Sequence, residues 1–131
     1  MKEITSDNIL YAIHEDGLFM EGGSVWFGDP ERGLQIQRMC YHEGKTFQLH
    51  RHVKRPRKIE HTEECFVVLQ GNLSAKIYND DKVLIADLIL REGDMLVCYR
   101  GWHEFKVLED YTVCFEIKNG PYSGEDKEWS K

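Results

Sequence analysis

Short apolar runs separated by strong turn signals recur along the whole of this chain, and that spacing constrains the fold more than any other feature. Gly28-Asp29-Pro30-Glu31-Arg32-Gly33, Tyr41-His42-Glu43-Gly44-Lys45, Gln70-Gly71-Asn72, Asn79-Asp80-Asp81, Arg91-Glu92-Gly93-Asp94 and Glu109-Asp110 all break the chain. Gly, Pro, Asn and Asp supply the backbone angles and local hydrogen bonds that turns need. Between these breaks lie candidate strands at residues 9–13, 24–27, 34–40, 46–52, 64–69, 73–78, 83–90, 95–99, 105–108 and 111–117. Leu73, Ala75 and Ile77 alternate with Ser74, Lys76 and Tyr78, as in a half-buried strand. After Glu64 the run to Leu69 is apolar throughout, the pattern of a strand covered on both faces. No stretch shows convincing helical periodicity. Strands recurring about every 8 to 12 residues predict an all-β sandwich or barrel.

At 131 residues the chain is expected to form one domain with its own core. Residues 1–33 read as N-terminal strands and a turn, 34–117 as the body of the barrel, and 118–131 as a loosely held tail. No apolar run approaches the length of a membrane span. Met1-Lys2-Glu3-Ile4-Thr5 lacks the apolar segment of a signal peptide, so a cytoplasmic protein is expected, with no membrane partner. The net charge of −6 argues against nucleic acid, which needs a broad basic surface. The four cysteines, Cys40, Cys65, Cys98 and Cys114, lie in apolar runs without a C-x-x-C pair. They read as reduced, buried small hydrophobes rather than a zinc site.

The chemistry concentrates between His50 and Gly71. Two imidazoles, His50 and His52, are one residue apart; if that segment is extended, both point to one face. Farther on, Glu64 heads the apolar strand. It shares parity with Phe66 and Val68, so it faces the interior if they do, where a carboxylate costs several kcal/mol unless paired or metal-bound. Otherwise it is an exposed strand-end residue, as Glu63 is expected to be. Two nitrogens and an oxygen on rigid strands suit a divalent transition metal. An isolated H-x-H favours the plainer reading of two surface histidines beside a basic loop. Between these groups Arg51, Lys54, Arg55, Arg57 and Lys58 place five cations in eight positions of an acidic protein. Arg55 and Arg57 are candidates to clamp a phosphate, nucleotide-sugar or uronate carboxylate. The alternative is a solvated edge that resists sheet-to-sheet aggregation.

These motifs resemble those of cupins, the small jelly-roll family. His50-x-His52, Glu64 ahead of Gly71, then Gly93-Asp94, Gly101 and His103 follow the two cupin motifs over roughly residues 34–117. The tail Lys118-Asn119-Gly120-Pro121-Tyr122-Ser123-Gly124 and the 50–64 stretch are similar to a narrower bacterial group associated with surface-polysaccharide gene clusters. The resemblance implies a double-stranded β-helix, pairing as a homodimer, with a metal (Zn, Fe, Mn or Ni) held by His50, His52, Glu64 and His103. Glu64 stands farther from His52 than the family motif has it, which leaves Glu60 or His61 as an alternative ligand. The implied function is binding of a small anionic, carbohydrate-type ligand. As an enzyme it would be a sugar isomerase or epimerase, with the metal as Lewis acid and Glu60 or His61 as general base. Trp102 is placed to stack on the ligand or to pack outside. A metal-free binding module and a metal-dependent dioxygenase are the alternatives.

Overall fold

The computed structural model describes residues 1–16 and 22–130. Residues 17–20, which read as mixed, and the last residue of the tail lie outside them. Ten strands carry the fold: β1 (Lys2–Ser6), β2 (Ile9–Glu15), β3 (Gly23–Phe27), β4 (Ile36–Cys40), β5 (Glu64–Gln70), β6 (Asn72–Tyr78), β7 (Leu84–Arg91), β8 (Met95–Cys98), β9 (Trp102–Val107) and β10 (Val113–Lys118). There is no helix among the described residues, so none is long and apolar enough to cross a membrane.

The strands form three open antiparallel sheets. The largest has the order β1-β2-β8-β5-β10, a second the order β7-β6-β9, and β3 pairs with β4 alone. The all-β expectation holds; among the described residues no sheet closes on itself. Between the two larger sheets lies the main core, built from Tyr11, Ala12, Phe66, Val68, Leu96 and Cys98 on one side and Leu73, Ala75, Ile77 and Leu90 on the other. A second core covers the opposite face of the five-stranded sheet, where Ile13, Cys65, Val97 and Tyr99 pack with Leu34 and Ile36. This explains the unbroken apolar run of β5. Phe66 and Val68 enter one core while Cys65 and Val67 enter the other, as the two-residue period of a strand requires.

The turns set the register. Asn79 is buried, and its side-chain oxygen accepts from the Asp81 and Val83 amides at 3.0 and 2.9 Å. That bonding closes the β6–β7 hairpin. Asp94 accepts from the Arg91 amide at 2.9 Å, and its carbonyl accepts from Val68 N at 3.0 Å, tying the β7–β8 turn to β5.

Three local expectations are corrected. Residues 2–6, left without structure in the sequence pattern, form β1 against β2. β9 begins earlier than the apolar residues suggest, at Trp102. Residues 46–52, expected as a strand, form none, and every residue from 41 to 62 is exposed. Phe47 and Leu49 alternate correctly, but a strand also needs a neighbour for its amides and carbonyls. The charged run that follows, broken by Pro56, stays in solvent instead.

Candidate functional site

The site begins where the two larger sheets meet at one end. Glu64 opens β5 and His103 is the second residue of β9, paired across to Ile77 of β6. The Nε2 of His103 lies 3.0 Å from Oε2 of Glu64. Glu64 is only 6% exposed, in keeping with its shared parity with Phe66 and Val68. The ring N–H is off-axis, so Oε2 has no aligned hydrogen-bond donor; the contact is an ion pair when the imidazole is protonated. Lys118 on β10 stands 4.0 Å from the other carboxylate oxygen. The His103 imidazole holds the Glu64 carboxyl below the usual carboxylate range. Burial opposes it, and Glu116 and the Lys118 charge add smaller downward pulls. The His103 ring packs at a tilt against Phe105, with centroids 5.4 Å apart, and Phe105 likewise against Phe66 at 4.3 Å. An aromatic wall therefore orients the imidazole.

A cleft of ≈ 1260 Å³ opens over this pair. Glu60, His61, Tyr78, Asp80, Lys82, Arg100, Trp102 and Glu104 line it together with Glu64, His103 and residues 126–130 of the tail. Its rim is hydrogen-bonded. Trp102 Nε1 donates to the Asp80 carbonyl at 3.3 Å, Tyr78 OH donates to Glu104 at 2.6 Å, and Arg100 pairs with the Asp80 carboxylate. Lys82 Nζ sits 4.4 Å from the centre of the Trp102 ring.

The residues expected to act together divide into groups. Glu64, His103, Trp102, Glu60 and His61 share the cleft, with Glu60 also paired to Lys58 at 2.7 Å. His50 and His52 do not line it. Their rings neighbour each other, 5.5 Å apart, in the exposed 41–62 segment, and His50 Nδ1 is 2.7 Å from the Gln48 carbonyl. Arg55 and Arg57 are exposed in the same segment and do not line the cleft either. Among the described residues no group of three or more His, Cys, Asp or Glu is arranged to hold a metal ion. As placed, the four expected ligands form two separate pairs, His50 with His52 and Glu64 with His103.

Glu63 was expected to be exposed and is not. It is 5% exposed. Its Oε2 accepts from the Leu34 amide at 2.8 Å, with Arg32 3.6 Å from Oε1. Asn119 clamps the same point: its Oδ1 accepts from Glu63 N at 3.0 Å and its Nδ2 donates to the His61 carbonyl at 3.2 Å. Adjacent carboxylates at the start of β5 thus point in opposite directions, Glu63 into a structural clamp and Glu64 into the cleft. Nothing near Glu63 in the sequence signals this, because its partners come from Leu34 and Asn119. The cysteines are free thiols; Cys65 and Cys98 are buried and Cys40 and Cys114 half-buried. Burial pushes the Cys65 thiol up to about 11, so it is inert at neutral pH.

Compared with protein-family models, with curated proteins and with solved structures, the chain matches none.

Proposed function

We propose that the cleft over Glu64 and His103 binds a small anionic, carbohydrate-type molecule, and that these two residues serve as its acid–base pair. The observation that carries this reading is the 3.0 Å contact between a buried carboxylate and an imidazole from strands of two different sheets, at the base of an open cleft. Glu64 faces one ring nitrogen of His103, and the other nitrogen is the one available to exchange a proton with a bound ligand. Trp102 offers a flat apolar face to a sugar ring. Glu60, His61, Tyr78 and Glu104 add groups suited to hydroxyls. Proton transfer beside a carbonyl would make this a sugar isomerase or epimerase; without turnover the same cleft is a binding module.

The test is calorimetric titration with glucuronate and with glucose after treatment with EDTA. Binding that weakens at least about tenfold in Trp102→Ala and His103→Ala supports the reading. Absence of binding to either probe in the wild type contradicts it.

A second reading has one observation in its favour: Glu64 Oε2 is buried without an aligned donor beside His103 Nε2. His103 stands on β9, the outer strand of its sheet. In the cupin-type jelly roll that the motifs resemble, His50 and His52 would join Glu64 and His103 around Zn, Fe, Mn or Ni. Such an ion would supply Lewis-acid polarisation or, with iron, dioxygen chemistry. Stoichiometric metal that is lost both in His50→Ala/His52→Ala and in His103→Ala supports this arrangement. Metal retained in the first variant contradicts it. Homodimer formation through a sheet belongs to the same reading.

A further inference from the structure

We infer that Lys82 is the residue that recognises the negative charge of the ligand, an inference that rests on the cleft reading above. Among the described residues, four non-glycine positions have a left-handed backbone: Asp7, Asn8, Lys82 and Tyr111. Asp and Asn tolerate that conformation, whereas a lysine gains nothing from it. At Lys82 φ is 64°, and the residue occupies the last position of the β6–β7 turn, where glycine or asparagine fits best. The turn does not need a lysine. Its bonds come from the Asn79 side chain and from the Lys82 amide, which donates to the Asn79 carbonyl at 3.1 Å. A residue that breaks the local rule without structural return is a candidate for function.

The cleft shows what the return is. Lys82 lines it, whereas Tyr111 does not. Its ammonium lies over the Trp102 ring, 4.4 Å from the centroid, a contact that holds the charge in place without neutralising it. Among the described residues no carboxylate pairs with Lys82, while Arg100 on the same rim is committed to Asp80 and Lys127, which also lines the cleft, lies against Trp129 within the tail. An exposed cation held over the Trp102 ring on the rim of the cleft matches a carboxylate or phosphate substituent on a sugar bound in that cleft. The left-handed turn aims the side chain back over the cleft.

The backbone strain makes the test separable from folding. Lys82→Gly removes the charge and relieves the left-handed strain, so its melting temperature is expected to equal or exceed that of the wild type. Titrated with glucuronate, it is expected to bind about tenfold more weakly than the wild type, with Lys82→Arg close to wild type. Affinity for uncharged glucose is expected to stay within about twofold. If Lys82→Gly binds glucuronate as the wild type does, the inference is overturned while the cleft reading stands. If the wild type binds neither probe, both are overturned. Equal losses for glucuronate and glucose would make Lys82 a general contact and overturn its role in reading charge.

Discussion

Glu64 and His103 meet 3.0 Å apart although 39 positions separate them, because β5 and β9 lie in different sheets that converge at one end of the main core. The same convergence opens the cleft. The proposed acid–base pair and the cleft above it therefore depend on one packing arrangement.

The Glu64 carboxyl is held below its ordinary value of 4.5, chiefly by His103. A group whose folded pKa is lowered stabilises the fold above its unfolded pKa, and that contribution fades as the pH falls through the folded value. The wild type should therefore exceed Glu64→Gln in stability at neutral pH. The gap should narrow as pH falls below the ordinary carboxylate range. Urea denaturation of both proteins across that range measures it.

Asn119 joins the entry of β5 to the exit of β10 through its bonds to Glu63 and His61. Asn119→Ala leaves the Glu63 amide without that acceptor and should cost on the order of 1–2 kcal/mol. Urea denaturation of the variant reads the loss directly.

Gly101 bends the chain before Trp102 with φ 82°, and a Cβ there would meet the Tyr78 carbonyl and the Tyr11 ring. Gly101→Ala should destabilise by on the order of 3 kcal/mol, combining backbone strain and overpacking. Because the bend aims both Trp102 and His103, ligand affinity should fall with it. Thermal melting and titration of the same sample check both.

Tyr99 is 1% exposed and its hydroxyl has no hydrogen-bond partner among the described residues, while its ring lies 4.5 Å from the Arg32 guanidinium. The buried hydroxyl costs stability. Tyr99→Phe keeps the ring and should be neutral or stabilising by up to about 1 kcal/mol, measured by chemical denaturation.

Much of this framework is legible in the residues themselves. The run after Glu64 shows a strand buried on both faces, the Leu73–Ile77 alternation gives β6, and the parity of Glu64 with Phe66 and Val68 places its carboxylate inward. What sequence reasoning misses depends on distant partners. Glu63 and Glu64 look alike in sequence, and only Leu34 and Asn119 explain why the first is buried. Residues 46–52 have a strand's alternation without a neighbouring strand to pair with. Lys82 looks like an ordinary turn residue until its backbone angle and the Trp102 ring are seen together.

The most direct measurement is a proton–nitrogen correlation spectrum of the labelled protein titrated with glucuronate. The indole N–H of Trp102, which donates to the Asp80 carbonyl, and the amides of Glu64 and His103 should shift together with one binding curve. Trp26, on β3 and outside the cleft, should not move. Shifts confined to residues 51–58, or to Trp26, would contradict a ligand site built on Glu64 and His103.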